Sequence, residues 1–273
     1  MAARALPLPP AHPRPLRVLA VSPHLDDAAF SAGGTLAALA AAGHDVTVVT
    51  CFTRSVPDPT GFALACQTDK GLGPEVDYMA LRRDEDSKAM SVLGVRPVHL
   101  ELPEAPHRGY LSARALFSGI SPHDGVDRAL EPLLRDLDAD LWLAPRGIGA
   151  HVDHLQVLRV VARLGRPVLW WRDSPYVLRF PEALPGADLP PGLTPVEFPQ
   201  DRPRRADACA CYASQLGFQF GGADWMREAL ADLSEPLLAD DRALEVLRLR
   251  RADHRAAVGA VPPDPGAADG PLA

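Results

Sequence analysis

Five short apolar runs, separated by helix-like segments, are the feature that most restricts the fold of this chain. They cover residues 16–21, 45–51, 96–102, 140–144 and 167–171. An apolar run of about four to eight residues between turn signals is typical of a buried strand. Strands that alternate with helices at this spacing favour a mostly parallel sheet. The sequence therefore predicts an α/β fold, with a Rossmann-like mostly parallel sheet and helices on both faces.

The pattern changes after residue 171. We predict a short strand over 176–180, a stretch rich in Pro and Gly over 181–199, and helices over 203–216 and 223–233. These elements would form a short C-terminal strand and helix extension of the sheet. A chain of 273 residues favours a single domain, which we place at 16–255.

Four segments between and outside these elements lack a regular pattern. The Pro-rich residues 1–15 and residues 256–273, which are rich in Pro, Gly and Ala, are expected to be flexible tails. The connections 52–77 and 103–122 are long for a compact domain, where such loops are usually functional covers or disordered. We expect the first to cover a pocket and the second to form its rim.

Charge and cysteine content exclude several classes of protein. The net charge of -7 argues against a nucleic-acid binder, which normally carries a basic face. The four cysteines form no C-x-x-C pair and indicate no disulfide framework. The N-terminus lacks the apolar core of a signal peptide, and no run approaches the roughly 18 apolar residues of a membrane span. We therefore expect a cytoplasmic protein that binds neither nucleic acid nor membrane.

Two clusters of histidine and aspartate follow predicted strands. Pro-His-Leu-Asp-Asp stands at 23–27 after the first apolar run, and His-Val-Asp-His stands at 151–154 after the fourth. Ligands in an open α/β sheet bind outside the carboxyl ends of the strands, so two such loops can meet at one site. A catalytic zinc commonly has three protein ligands and an open fourth position. His24, Asp27 and one histidine of the second motif would supply that set.

Each of these side chains also has a structural alternative. Asp27 can cap the helix that is predicted to begin at residue 28. Asp153 can be an acid of a first helical turn, where the helix dipole favours it. A single histidine at a strand end is more often part of a hydrogen-bonded framework than a ligand. Two such motifs, both at strand ends, together favour the metal site.

In their order and residues, the two motifs resemble those of the PIG-L/LmbE-like family of zinc-dependent N-acetylglucosaminyl deacetylases. The resemblance extends from about residue 16 to about residue 165, with a weaker similarity over Tyr-Ala-Ser-Gln at 212–215. It implies that His24, Asp27 and His154 are the metal ligands and that Zn²⁺ is the cofactor. Fe²⁺ is an alternative, because two histidines and one carboxylate can also hold it.

The same resemblance implies roles for the other motif residues. Asp26 would be the general base, which takes a proton from water and returns it to the leaving amine. His151 would stay off the metal and stabilise the tetrahedral oxyanion, and Asp153 would orient a histidine ring. An Arg-x-x-Glu pattern at 82–85 also matches the family, and Arg82 would then donate to a substrate hydroxyl. The alternative for Arg82 is a solvated, charged helix face.

Three positions depart from the pattern of many family members. Leu25 stands where many have proline, and Ala28 stands where many have an acid that would support the ligands. Gly149 replaces a tyrosine that some members place two residues before the second motif as an oxyanion donor. His151 alone, or a tyrosine from elsewhere, would have to stabilise that charge. Losing one such donor costs about 10²- to 10³-fold in rate.

Three functions are compatible with these residues. The favoured one is a metal-dependent hydrolase that removes the acetyl group from the amide nitrogen of an N-acetylglucosamine-type sugar or glycoconjugate. The second is an amidase that acts on a thiol conjugate or natural product. The third is a non-catalytic, metabolite-binding α/β module, although binding alone needs no general base such as Asp26. We expect a small-molecule sugar or glycoconjugate as the binding partner and leave self-association into a homo-oligomer open.

Overall fold

An eight-stranded, mostly parallel sheet organises the computed structural model, which describes residues 3–259. Its strands are β1 (Arg4–Ala5), β2 (Arg17–Ser22), β3 (Asp45–Thr50), β4 (Arg96–His99), β5 (Leu141–Pro145), β6 (Val168–Trp171), β7 (Thr194–Glu197) and β8 (Leu237–Ala239). Their order across the sheet is β1-β7-β8-β6-β5-β2-β3-β4. β8 is antiparallel to both of its neighbours, and every other pairing is parallel. The predicted fold class is confirmed.

Helices cover both faces of the sheet. They are α1 (Asp27–Ala41), α2 (Gly61–Thr68), α3 (Tyr78–Leu93), α4 (Ala113–Leu116), α5 (Val126–Arg135), α6 (Val152–Leu164), α7 (Tyr176–Arg179), α8 (Arg202–Cys209), α9 (Ala213–Phe220), α10 (Ala223–Ala231) and α11 (Asp241–Gly259), with a 3₁₀ turn at Ala105–Arg108. Successive side chains of a strand point to opposite faces. In β2, Val18 and Ala20 therefore join the core under α1 and α8, whereas Leu19 and Val21 join the core under α5 and α6.

The strand order reverses direction beside β2. From β2 the chain builds β3 and β4 on one side, and β5 then returns to the other side of β2. Open α/β sheets bind their ligands at such a switch point, in the crevice beyond the carboxyl ends of the strands. Both histidine motifs follow strands that end there.

Two glycines let α1 lie against a buried ion pair. Arg205 Nε lies 3.1 Å from Glu235 Oε1, and the Glu235 carboxylate also accepts from the N–H groups of Gly34 and Thr35 at 2.8 and 2.7 Å. A Cβ atom at Gly33 would lie 3.2 Å from Arg205 Cγ, and one at Gly34 would lie 3.1 Å from Glu235 Oε1. These small residues permit the close contact between α1 and the C-terminal third of the chain.

Two predictions about the C-terminal region were wrong. The strand predicted over 176–180 is the helix α7, because the Val177 N–H turns back to bond the Asp173 carbonyl at 3.0 Å. The single helix predicted over 203–216 is two helices, α8 and α9, which separate where the buried Tyr212 hydroxyl reaches Asp86. The strands β7 and β8 and the helix α11 had no predicted counterpart, and β8 has only three residues.

Residues 3–15 pack on the domain and are not the flexible tail that the sequence predicts. β1 pairs with β7, and Leu6 is buried. His44 links the segment to the sheet, since its Nδ1 accepts from the Leu16 N–H at 3.1 Å and its Nε2 donates to the Pro9 carbonyl at 2.9 Å. Of the second predicted tail, 256–273, residues 256–259 end α11 and the remainder lies outside the described residues.

Candidate active site

The loop after β2 directs the Asp27 carboxylate back toward His24. Ser22 closes the turn, because its Oγ donates to the His24 carbonyl at 2.7 Å and accepts from the Ala28 N–H at 3.1 Å. Asp26 occupies the N-cap position of α1 but makes no side-chain capping bond. Asp27 is the first helical residue, and its Oδ2 accepts from the His24 N–H at 2.8 Å. The capping alternative for Asp27 is therefore wrong.

The loop after β5 places His151 at the N-cap of α6. Its Nδ1 accepts from the Asp153 N–H at 3.2 Å, so the proton of the neutral ring lies on Nε2. Burial, followed by the positive charge of His24, lowers the pKa of His151 to about 3. At neutral pH the ring is therefore an uncharged hydrogen-bond donor at the pocket surface.

His24 and His154 face one oxygen of the same carboxylate. Asp27 Oδ2 lies 3.1 Å from His24 Nδ1 and 3.2 Å from His154 Nε2. The opposite ring nitrogens bond to other carboxylates, His24 Nε2 to Asp153 Oδ2 at 2.9 Å and His154 Nδ1 to Asp173 Oδ1 at 2.7 Å. Such outer carboxylates fix the orientation of metal-binding histidines in proteins. The inner nitrogens of both rings are thereby aimed at Asp27.

The charges of this cluster are strongly coupled. Burial opposes ionisation of Asp27, but the positive charges of His154 and His24, whose ring nitrogens approach its carboxylate, outweigh it and hold the pKa of Asp27 well below its usual range. Burial likewise opposes protonation of both histidines. Asp27 and the outer carboxylates reverse that effect, so the pKa of His154 rises to about 9 and the pKa of His24 rises well above its usual value.

The donor set fits a divalent cation. His154 Nε2 is buried, and within the described residues it makes no hydrogen bond, which is unusual for a buried polar atom. Ring nitrogens of His24, His151 and His154 all lie within 4.8 Å of one another, and Asp27 adds a carboxylate oxygen between two of them. Neutral imidazole and carboxylate are ligands that suit Zn²⁺ and Fe²⁺.

Asp26 lies beside this cluster with its carboxylate almost fully buried. Its Oδ2 accepts from Gln219 Nε2 at 2.9 Å, and its Oδ1 lies 3.4 Å from Arg82 Nη2. Burial raises the pKa of Asp26 to about 7, although the positive charge of Arg82 opposes the rise. A carboxyl group with this pKa can accept and return a proton at neutral pH.

Arg82 is buried in the pocket wall. It is 4% exposed, so the alternative of a solvated helix face is wrong. Its Nη1 donates to Glu104 Oε1 at 2.6 Å, and the guanidinium lies 5.4 Å from the centre of the Tyr78 ring. Glu85, the other residue of the Arg-x-x-Glu pattern, accepts from the N–H and hydroxyl of Ser214 at 2.8 and 2.7 Å. Glu85 therefore anchors the start of α9.

Asp153 joins the histidine cluster to the segment 103–122. Its Oδ2 accepts from the Ala105 N–H at 3.1 Å, and its Oδ1 accepts from Arg108 Nη2 at 2.6 Å. Burial opposes its ionisation, but the hydrogen bond from His24 and the charge of Arg108 hold the pKa of Asp153 well below its usual range. Asp153 does lie in the first turn of α6, as the structural alternative predicts, but it is also buried against His24 and Arg108.

Tyr176 occupies the space beside Gly149. Gly149 has a φ of +90°, and a Cβ atom there would lie 2.7 Å from Tyr176 Cγ, so this glycine makes room for the ring. The ring centre of Tyr176 lies 5.3 Å from that of His154 and 6.5 Å from that of His151. Among the described residues the Tyr176 hydroxyl has no hydrogen-bond partner, and the side chain lines the pocket.

The motifs contain no signal for several residues of the site. Arg108, Tyr176 and Gln219 lie outside both histidine motifs, and only the fold brings them to the cluster. Asp173 had a weak signal, since it comes two residues after a predicted strand and thus lies at the carboxyl edge of the sheet. That position is the signal from which an acid that orients a histidine could have been proposed.

A cavity of about 270 Å³ opens over the cluster. His24, Asp26 and Asp27 form part of its floor, and α9 forms one wall. The segment 52–77 contributes α2 and residues that follow it, and the segment 103–122 contributes the 3₁₀ turn and α4. Both long connections therefore border the pocket, as the sequence predicts.

Comparison with known protein families shows which family this chain belongs to. The family described as PIG-L: GlcNAc-PI de-N-acetylase matches residues 19–164, which is more than half of the chain. The chain belongs to the PIG-L family. The resemblance predicted from the two histidine motifs is thereby confirmed, and the matched range contains both motifs.

Curated relatives of this PIG-L chain are deacetylases. It is 37% identical over 172 residues to the 2'-N-acetylparomamine deacetylase of Streptomyces fradiae, a match to 59% of this chain and 57% of the relative. It is 40% identical over 166 residues to the 1D-myo-inositol 2-acetamido-2-deoxy-alpha-D-glucopyranoside deacetylase of Corynebacterium glutamicum (strain R), a match to 58% of this chain and 56% of the relative. The chain thus spans little more than half the length of these relatives.

Solved structures of PIG-L-like deacetylases share the fold. The zinc-inhibited form of the teicoplanin deacetylase Orf2 has a TM-score of 0.68 at 26% identity, over 82% of this chain and 99% of that chain. The A40926 pseudoaglycone deacetylase Dbv21 has a TM-score of 0.66 at 29% identity, over 82% of this chain and 96% of that chain. Because they cover 82% of this chain, these likenesses extend beyond residue 164.

Proposed function

We propose that this protein is a metal-dependent hydrolase that removes the acetyl group from the amide nitrogen of an N-acetylglucosamine-type sugar or glycoconjugate. The observation that carries the proposal is the approach of Asp27 Oδ2 to His24 Nδ1 and His154 Nε2, at 3.1 and 3.2 Å. Asp26, whose pKa is about 7, lies next to them in the same pocket. The named relatives, which deacetylate acetamido sugars, support the same chemistry.

His24, Asp27 and His154 would hold the cation. His151 is the competing third ligand, because its ring lies close to the other two. Its Nδ1, however, accepts from the Asp153 N–H, and the protonated Nε2 that remains cannot coordinate. Zn²⁺ suits the set of two histidines and one carboxylate, and Fe²⁺ is the alternative. When bound, such an ion supplies Lewis-acid polarisation of an amide carbonyl and acidifies a water molecule.

Asp26 moves the protons of the reaction. As a carboxylate it takes a proton from the attacking water, and as a carboxylic acid it returns that proton to the leaving nitrogen. The bond from Gln219 Nε2 to Oδ2 fixes the plane of the carboxyl group. The free amine and acetate are the products.

Two side chains are proposed to stabilise the oxyanion of the tetrahedral intermediate. His151 presents a neutral Nε2–H, because its Nδ1 is already an acceptor. The hydroxyl of Tyr176 is the second donor, and it takes the role of the tyrosine that other family members have at the position of Gly149. Preorganised donors of this kind account for much of the rate of acyl transfer.

Arg82 and Asp153 act around the reacting groups. Arg82 lines the pocket and pairs with Asp26 and Glu104, and we keep the proposal that it also donates to a substrate hydroxyl. Asp153 accepts from His24 Nε2 and so would keep the Nδ1 lone pair of that ring available to a cation.

Deacetylation of a natural product is a second candidate function. Exposed aromatic side chains, Phe117 and Phe218, line the pocket mouth, and they suit a substrate larger than a simple sugar. Solved structures that share this fold include teicoplanin and A40926 pseudoaglycone deacetylases. The two candidates share their chemistry and differ in the group attached to the acetamido sugar.

We propose a cytoplasmic location with reduced thiols, supported by four free cysteines in the structure. No helix within residues 3–259 combines the length and apolar character that crossing a bilayer requires. Self-association into a homo-oligomer stays a prediction.

Acetate release from N-acetylglucosamine conjugates tests the proposed function. The protein would be stripped with a chelator, reloaded with Zn²⁺ or Fe²⁺, and assayed beside Asp26→Asn and His154→Ala. We expect Asp26→Asn to keep its metal and lose about 10²- to 10⁴-fold in kcat, and His154→Ala to lose the metal. Asp224→Asn and His123→Ala, which change exposed residues outside the pocket, serve as matched controls. Stoichiometric metal without acetate release from any conjugate would overturn the proposal.

A further inference from the structure

Lys70 lies at the pocket mouth without an acidic partner. Its Nζ donates to the Cys66 carbonyl at 2.6 Å and lies 5.4 Å from the centre of the Tyr78 ring and 4.8 Å from that of Phe218. Among residues 3–259, no carboxylate forms an ion pair with it. The ammonium group is therefore half-buried between two aromatic rings and a carbonyl oxygen.

Arg179 is the second unpaired cation at this mouth. It ends α7, and its Nη2 donates to the Gln219 carbonyl at 2.7 Å. Arg179 forms no ion pair with any residue in the part of the chain that the structure describes. Because Lys70 contacts Phe218 and Arg179 contacts Gln219, the two cations lie beside neighbouring residues of α9. We call Lys70 and Arg179 the α9 cation pair.

The acids deeper in the pocket have other partners. Asp26 and Glu104 share the guanidinium of Arg82, at 3.4 and 2.6 Å, and Asp27 and Asp153 contact the histidine cluster. None of these four carboxylates forms an ion pair with Lys70 or Arg179 within residues 3–259.

Asp69 is the remaining acid of the described lining, and it reduces the positive charge at the mouth without removing it. It is exposed, and its side chain makes no hydrogen bond or ion pair with another described residue. The mouth therefore presents two unpaired cations against one unpaired acid.

We propose that the α9 cation pair is an oxyanion subsite, which binds a carboxylate or phosphate group that the substrate carries next to its acetamido sugar. A half-buried ammonium gains charge-assisted hydrogen bonds from such a group, and Arg can bind it in a bidentate manner. Phe218, 61% exposed, offers an apolar surface to the carbon skeleton between the two groups. The inference rests on the proposed deacetylase function.

Four substrates of different charge test the subsite. They are N-acetylglucosamine 1-phosphate, N-acetylmuramic acid, the neutral methyl N-acetylglucosaminide, and an acetamido sugar that carries free amino groups. We expect kcat/KM for at least one acidic sugar to exceed that for the neutral glycoside by about tenfold or more, the effect of one hydrogen bond to a charged group. The preference should decrease at high salt, and the phosphate and carboxylate arms identify which oxyanion is bound.

Variants that each remove one charge show which residues cause the preference for acidic over neutral sugars. Lys70→Met and Arg179→Met should each lower the acidic-to-neutral ratio of kcat/KM about tenfold, whereas Asp69→Asn, a change of charge in the opposite sense beside Lys70, should preserve or increase it. The proposal is overturned if no acidic sugar is preferred, or if the preference survives both methionine variants. If no sugar is deacetylated at all, the proposed function fails first. In that case, calorimetry can compare the binding of N-acetylglucosamine 1-phosphate to the wild type and to Lys70→Met, which tests the subsite without turnover.

Discussion

Opposing influences on one carboxyl group control the chemistry proposed for Asp26. Burial raises its pKa to about 7, and the charge of Arg82 and the hydrogen bond from Gln219 lower it. The base form is the carboxylate, so activity is present above this pKa and lost as the pH falls through it. Because burial outweighs the other two effects and brings the pKa close to neutrality, the loss of a single charged neighbour would move the pH range of the proposed activity.

Arg82→Gln should displace the acidic limb of the kcat/KM profile to higher pH. The substitution removes the positive charge that stabilises the Asp26 carboxylate, so the pKa of Asp26 rises and more alkaline solution is needed to ionise it. A pH profile of acetate release measures the shift. Lys88→Gln, a loss of charge on the exposed face of the same helix, should leave the limb in place. An unmoved limb in Arg82→Gln would remove Asp26 from its proposed role.

Tyr176→Phe should lower kcat by about 10²- to 10³-fold, the cost of losing one oxyanion donor. The phenyl ring keeps the packing beside Gly149 and His154, so metal content and thermal stability should match the wild type. Steady-state kinetics and metal analysis check both expectations. An unchanged kcat would mean that the ring only fills space next to Gly149.

At the scale of elements, the contact of α1 with α8 depends on the buried Arg205–Glu235 pair. Glu235→Ala leaves the arginine charge buried and unpaired, and such losses cost about 3 to 5 kcal/mol of the free energy of unfolding. Urea denaturation measures the difference. Asp207→Ala removes the exposed pair with Arg227 and should cost less than about 1 kcal/mol. Equal effects of the two substitutions would contradict a specific role for the buried pair.

The elements that could be predicted are those whose own residues specify them. β2 and β5 are apolar runs with β-branched or aromatic residues, and α3 ends at Gly94, which adopts the left-handed conformation that favours glycine. α7 contains residues typical of strands, and the three residues of β8 are too few to show a period. Contacts with the rest of the molecule determine such short elements, and local sequence does not encode those contacts.

The residues of the site also divide into those that local sequence specifies and those that only the fold brings together. His24, Asp27, Asp153 and His154 belong to two local motifs, so the sequence could propose them together, although their roles stay predictions. Asp173 and Arg108 contact His154 and Asp153 from a loop and a 3₁₀ turn. Gln219 contacts the neighbouring Asp26 from α9. These contacts depend on the order of the strands across the sheet. The spacing of residues along the chain therefore does not encode them.

At the scale of the whole molecule, the bound metal should stabilise the fold. An ion that binds only the folded state adds about 2.7 kcal/mol when its concentration is a hundred times its Kd, which corresponds to a change of roughly 5 to 10 °C in Tm for a domain of this size. Calorimetry with and without a chelator measures the change. Asp26→Asn should show the same shift and His154→Ala should show almost none. A shift in His154→Ala that equals the wild type would place the ion elsewhere.

Removing residues 1–15 should destabilise the domain, because this segment packs against distant parts of it. Leu6 is buried, and Arg250 and Arg251 donate to the carbonyls of Pro15 and Pro7 at 2.8 and 3.1 Å. Burial of one leucine and several hydrogen bonds together are worth at least about 3 kcal/mol. Urea denaturation of the chain that starts at residue 16 measures the loss, and an unchanged free energy of unfolding would restore the interpretation of a free tail.

The bond from Gln219 to Asp26 spans 193 residues of the chain. A ribosome that adds about 5 to 20 residues per second has therefore made Asp26 roughly 10 to 40 s before it makes the partner of that side chain. In the interval the nascent protein acquires both histidine motifs, the second of which ends at residue 154, but it lacks α9 and the pocket wall that α9 forms. A growing chain can thus gather its proposed metal ligands early, while competence to turn over a substrate has to wait until α9 has been made.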